Sequence, residues 1–240
     1  MTWKTVSTGV LALILLASCV EVQNNPQFSN WLNQAAMVAR PLDNETVAAG
    51  LREALRVGSE RAASSASKAD GFLANEAIRI ELPESMDRMT GMLRTVGLGS
   101  LVDSFQVRLN RAAEAAAEEA VPVFSQAVKE MSLTDVMSIL HGSDTAATDY
   151  FSDKTSFVLA QRFKPVIRQN MEQVGLYSLY AELVQAYETL PLADKRAINL
   201  EDYLTEKTRD GLFYLLAREE EKIRRDPAAR TTELLKKVFE

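Results

Sequence analysis

The sequence predicts an all-α protein, a multi-helix bundle with one short extended segment near residues 77–82. Three observations lead there. From Asp43 onward apolar residues recur at three- and four-residue spacing, the signature of helices with one buried face. Capping residues and glycines punctuate these runs at helix-length intervals. Only Ile78-Arg-Ile80-Glu-Leu82 alternates as a strand would, and no second run answers it, so it is expected as an extended connector across the core.

The elements follow in order. Leu51, Ala54, Leu55 and Gly58 share one face of a first helix. Glu84 to Val96 forms a second, with Met86, Met89, Met92 and Leu93 on its apolar side. Leu98 to Ala120 is long and rich in alanine, which favours helix and lets neighbouring helices approach closely. Pro122 suits a fresh helix start, running to Met131. Ser132-Leu-Thr-Asp135 matches a capping box with Asp in place of Glu and opens a helix to Leu140. Thr145 to Met171 is helical with a break expected at Pro165. Leu176 to Leu190 and Leu200 to Arg225 complete the long helices. Asp226-Pro227 then caps a last helix with Thr231, Leu234, Leu235 and Val238 on one face. Lys236 and Lys237 complement its dipole.

One internal echo invites a helical-hairpin repeat. Val96-Gly-Leu98-Gly-Ser100-Leu101 returns as Val174-Gly-Leu176-Tyr-Ser178-Leu179, and Ser132-Leu-Thr-Asp135 is answered in the same order by Asn199-Leu-Glu-Asp202. In both longer copies a glycine falls where a helix ends, the position that favours a left-handed residue.

The amino terminus reads as an address. Lys4 precedes an unbroken apolar run from Val10 to Ala17, too short to span a bilayer and of signal-peptide size. Leu16-Ala17-Ser18-Cys19 looks like a lipobox, in which lipid is attached to the cysteine thiol before cleavage. Cys19 is the single cysteine of the chain, which weighs against an ordinary secretory signal with an incidental thiol. The expected organisation is a signal peptide over 1–18, a lipidated cysteine and tether over 19–41, and a helical domain over 42–240. Two or more acyl chains anchor firmly where one does not. Val20 rather than Asp after the cysteine favours the outer membrane over the inner, facing the periplasm. Within the tether, Phe28, Trp31, Leu32 and Ala35 form a short apolar stripe that either packs on the domain or lies on the membrane.

Composition bounds the function. Without residues 1–18, which hold one Lys and no acid, 26 Lys and Arg face 33 Asp and Glu. An acidic domain lacks the basic footprint that nucleic acid requires. His141 is the only histidine and precedes Gly142 at a helix end, where its expected role is to stabilise that terminus. One histidine and one lipid-bearing cysteine leave no material for a histidine-rich zinc site or a Cys-His nucleophile, and a serine triad would need His141 while no nucleophile-elbow motif is present. No phosphate-binding glycine loop is present, and no cofactor is expected. Carboxylate pairs at i, i+4, Glu114 with Glu118 and Glu206 with Asp210, keep a paired-acid hydrolase of envelope polymers as the alternative.

Two polar segments interrupt the apolar pattern. Asn110, Arg111 and Glu114 lie in the alanine-rich helix; Arg224, Asp226, Arg230 and Thr231 surround the start of the last one. The first reading is structural, since an Arg fork joins helix ends to carboxylates. The second is a candidate polar pocket for an anionic ligand.

These residues resemble a widespread bacterial family of exported proteins of unknown function, many of them lipoproteins. The resemblance rests on Gly50-Leu-Arg-Glu-Ala-Leu55, Asp70-Gly-Phe72, Ile78-Arg-Ile80 with Leu82-Pro83, and Leu109-Asn-Arg-Ala-Ala-Glu114. It continues through Ala146-Ala-Thr148 before Tyr150-Phe151, Gly211-Leu-Phe213, and Asp226-Pro-Ala-Ala-Arg-Thr-Thr232 before Leu234-Leu-Lys-Lys-Val-Phe239. It implies export and a mainly helical fold, and supplies no activity. The expectation is therefore a membrane-anchored, non-catalytic module that binds an envelope protein or a small apolar ligand.

Overall fold

The computed structural model describes residues 43–190 and 198–229. The signal peptide, Cys19, the tether with Phe28 and Trp31, and the last helix with Arg230 and Thr231 lie outside them. The described residues form an all-α bundle: α1 Asn44–Ser67, α2 Asp87–Thr95, α3 Gly99–Ala117, α4 Ala120–Glu130, α5 Leu133–Leu140, α6 Ala146–Gln173, α7 Leu176–Glu188 and α8 Leu200–Arg225. Single 3-10 turns, Glu84–Met86 and Pro227–Ala229, precede α2 and follow α8.

Small residues set the centre. The predicted face of α1 is buried, and Gly58 lets α8 come so near that an added Cβ would sit 3.4 Å from Ile223 Cδ1. Ala112, Ala113, Ala116 and Ala117 of α3 are fully enclosed. α8 packs most extensively on α1 and α6, and α3 packs on α6. Around this alanine-lined middle the large core side chains are Phe72, Phe105, Phe124, Phe151 and Phe163, all without solvent contact. Phe124 and Phe151 meet edge to face with ring centroids 5.0 Å apart.

Local signals operate as the sequence implies. Ser132 Oγ accepts from the Asp135 N–H at 3.1 Å, and the Asp135 carboxylate accepts from the Ser132 N–H at 2.9 Å, closing the capping box of α5. Asn199 Oδ1 accepts from the Asp202 N–H at 3.1 Å at the start of α8. The echoed glycines both end helices in the left-handed region, Gly97 at φ +88° and Gly175 at φ +65°. At the first, the Leu98 N–H reaches Leu93 O and the Gly97 N–H reaches Arg94 O, a Schellman closure. The hairpins they join differ in size: 9 and 19 residues for α2 and α3, 28 and 13 for α6 and α7.

Two expectations need correction. α6 does not break at Pro165 but runs through it. Phe163 and Ile167 on either side are fully buried and hold the helix to the core, while Pro165 and Gln161 face solvent, where water can satisfy the carbonyl that loses its partner. α4 begins at Ala120, with Pro122 inside its first turn rather than at its start, where a missing N–H costs no helical bond. Residues 77–82 form no strand, as the isolated alternation implies.

Candidate functional site

The connector from Lys68 to Pro83 crosses the bundle and is held there by side chains of α3 and α8. Asp70 adopts φ +64° and Gly71 packs so tightly that a Cβ would lie 2.4 Å from Ser65 O and 2.5 Å from Ala66 O, which explains the Asp-Gly pair. Glu114 Oε1 accepts from the N–H groups of Phe72 at 3.1 Å and Leu73 at 3.2 Å. Its Oε2 takes Arg111 Nη1 at 2.7 Å, and Arg111 Nη2 continues to Asp70 Oδ1 at 2.6 Å. One helical turn away, Asn110 Oδ1 accepts from Ile80 N–H at 2.9 Å while its Nδ2 donates to Ile80 O at 2.9 Å. The amide thus stands where a neighbouring strand would be, which is why one strand-like run needs no second.

A similar device sits at the far end of α8. Glu220, 7 % exposed, accepts from the N–H groups of Ala147 and Thr148 and from the Thr148 hydroxyl, at 3.0, 2.9 and 2.9 Å, so a carboxylate satisfies the free amides opening α6. Arg224 donates to Glu220 Oε1 through Nε and Nη2, and from Nη2 to Ile139 O at the end of α5. Asp226 ends α8, and its Oδ1 accepts from Ala228 N–H at 2.9 Å to shape the following 3-10 turn.

The structure therefore divides the candidate pocket. Asn110, Arg111 and Glu114 bind the connector; Arg224, with Asp226 nearby, serves the junction of α5, α6 and α8. Every buried side-chain polar atom among the described residues has a hydrogen-bond partner. Glu220 is the key residue that sequence reasoning missed. Its signal lies in spacing: Leu212, Leu216, Glu220 and Ile223 occupy the buried stripe of α8, whereas Glu219 and Glu221 flank it.

A concave surface lies beside the connector. A hollow of about 780 Å³ runs between residues 77–85 and the α8 residues Tyr203, Lys207, Asp210, Gly211 and Tyr214. A second, about 770 Å³, continues past Ala77 between the end of α1, the Asp70 turn and Leu215, Arg218, Glu219 and Lys222. Gly211 allows the floor to close, its position lying 2.6 Å by an added Cβ from the Phe72 ring. The Tyr203 hydroxyl donates to Glu81 O at 2.9 Å, and burial pushes its pKa upward.

Among the described residues the carboxylates whose pKa is displaced are shifted downward: Glu53 by Arg56, Asp135 by Ser132, and Glu201 by Arg168 and Tyr177. Among the described residues no three His, Cys, Asp or Glu side chains converge as metal ligands, and no helix is long and apolar enough to cross a membrane. His141 closes α5, its Nδ1 2.9 Å from Met137 O.

Neither a curated protein nor a solved structure matches this sequence. A family model described as a protein of unknown function does, over residues 41–240, so that connector, pins and hollows all fall within the match, and the chain belongs to that family, DUF4197.

Proposed function

We propose that the protein is an exported lipoprotein, held by lipid on Cys19 in the outer membrane and facing the periplasm, whose helical domain binds an envelope component without catalysing a reaction. The observation that carries the anchoring is Leu16-Ala17-Ser18-Cys19, placed directly after an apolar run of signal-peptide length and containing the sole cysteine. Binding is supported by the furrow along α8, set against a connector that Asn110, Arg111, Glu114 and Tyr203 hold in place. Hydrolysis through the carboxylate pairs is the weaker reading: Glu114, buried, has both oxygens engaged with the connector and Arg111, and its partner Glu118 is exposed.

Mass spectrometry of the amino-terminal peptide tests the anchor. A diacylglycerol-modified Cys19 at the new amino terminus is expected, with the protein in the outer-membrane fraction. Cys19→Ser should leave a precursor without acyl chains. An unmodified Cys19 in the mature protein would overturn the reading.

A further inference from the structure

Resting on the proposal of a lipid-held domain, we infer that the domain also touches a bilayer of zwitterionic phospholipid directly, through an apolar patch on α4 and α6 centred on Phe157. Phe157 is 74 % exposed, more than any other large apolar side chain among the described residues. Phe151, Leu159 and Phe163 already fill the buried stripe of α6, so Phe157 adds nothing to the core. Val158 beside it is 40 % exposed, and Val121 and Pro122 of α4 are exposed too. The two helices run antiparallel: Phe124 meets Phe151 with ring centroids 5.0 Å apart, and Glu119 pairs with Arg162 at 3.5 Å. Val121 and Val158 fall between those two contacts, so residues of both helices make one patch.

Area and attachment name the occupant. Together these side chains offer roughly 300 Å², well short of the about 800 Å² per partner that a stable dimer buries. A bilayer needs no such area when the domain is already tied to it. The 23 residues between Cys19 and Asp43 reach at most about 80 Å, while a domain of this size is about 40 Å across. Any face can therefore meet the membrane, and the tether keeps the local lipid concentration high enough for a weak apolar contact to be occupied. An aromatic ring and small aliphatic groups suit the boundary between headgroups and acyl chains.

Charge names the lipid. Groups of both signs rim the patch: Lys154 lies over the Tyr150 ring, Arg162 is held by Glu119, and Asp153 and Glu118 are exposed alongside. This is not the polybasic cluster that anionic headgroups select, and the mature chain carries 33 acidic residues against 26 basic.

Tryptophan fluorescence on vesicles tests this. The mature chain is held on phosphatidylethanolamine and phosphatidylcholine by its own lipid or, where the thiol is free, by coupling Cys19 to a maleimide phospholipid, so the result does not depend on native lipidation. Trp31→Phe removes the one tryptophan left after cleavage. In that background Phe157→Trp reports on the patch, and Val96→Trp on an exposed site beyond the other end of α3, about 28 Å of helix away. Lipid brominated in the upper acyl chain should quench the Phe157→Trp probe about threefold more than the Val96→Trp probe. Adding Val158→Asp or Val121→Asp, both at exposed positions, should remove most of that quenching, with circular dichroism melts showing that each variant is folded. Replacing part of the lipid with phosphatidylglycerol should not increase it. Equal quenching at the two probes, quenching that both Asp variants leave unchanged, or quenching raised by the anionic lipid would overturn the inference. So would blue-shifted emission without quenching: growth with surface density would assign the patch to a second copy, and independence of density to residues 20–41. The mass of the Cys19 peptide is read separately, so failure here leaves the anchoring proposal standing.

Discussion

Glu220 of α8 caps α6 from across the bundle: its Oε2 accepts from both the N–H and the hydroxyl of Thr148, each at 2.9 Å. The same carboxylate holds Arg224, whose guanidinium reaches on to Ile139 O. Three helix ends thus meet on one buried ion pair. Such a pair is strongly destabilising when one partner is removed, because the other charge stays behind in a dry site.

Glu220→Ala should accordingly lower unfolding stability by about 3–5 kcal/mol. Glu220→Gln keeps the volume but turns an NH₂ toward amide donors, and should cost about 2–3 kcal/mol. Urea unfolding followed by circular dichroism measures both. A Gln variant with the wild-type midpoint would show that the charge and second acceptor are not needed.

Asn110 makes a different prediction, because it holds a segment rather than a helix. Asn110→Leu leaves the N–H and C=O of Ile80 unpaired and should cost about 2–3 kcal/mol. The helices should survive while the connector loosens, so amide exchange at Ile80 should accelerate more than at the buried amides of α3 or α6. Equal acceleration everywhere would mean that the connector opens only with the whole domain.

These two residues mark the limit of what the sequence discloses. Helix positions, the capping box at Ser132 and the left-handed glycines at 97 and 175 depend on neighbours within a few residues, so local periodicity exposes them. Pro165 misled because its effect depends on which way residue 161 faces, a tertiary fact. Asn110 and Glu114 stood out as polar residues in an alanine helix, but their partners lie 30 to 42 residues away. Glu220 was hidden within three consecutive glutamates, and only its place in the four-residue stripe of α8 sets it apart. The furrow had no local signature, since it exists only where α8 meets the connector and the end of α1.

Two glycines should respond in opposite directions to the same change. Gly71→Ala drives a Cβ to 2.4, 2.5 and 2.8 Å from the carbonyls of Ser65, Ala66 and Lys68, backbone atoms that cannot swing aside. The turn must shift, and with it Phe72 in the core, at a cost of about 3 kcal/mol or more. Gly91 lies inside α2 with nothing within 4 Å of the added atom. Gly91→Ala should stabilise by about 0.5–1 kcal/mol, because alanine loses less conformational entropy in a helix. Paired thermal melts decide; a neutral Gly71→Ala would show that the Asp-Gly turn is not constrained as described.

Tyr177 predicts an alkaline transition. Burial, and then a hydrogen bond of 2.7 Å to Glu201, push its pKa from 10.0 up to about 12. The folded protein therefore holds this proton more tightly than the unfolded chain. The resulting stability is fully present below pH 10 and is lost as pH rises from about 10 toward 12, where the unfolded chain has released the proton and the folded one has not. Tyr177→Phe keeps the ring and removes the titration. The variant should be less stable than wild type near pH 8, having lost the bond to Glu201, and the gap should narrow between pH 10 and 12. Tyr150 and Tyr203 are also shifted upward, so tyrosinate absorbance at 295 nm is compared as a difference between wild type and variant to isolate this residue. A difference spectrum that titrates near pH 10, with a stability gap constant across the range, would contradict the partly buried hydroxyl and its bond to Glu201.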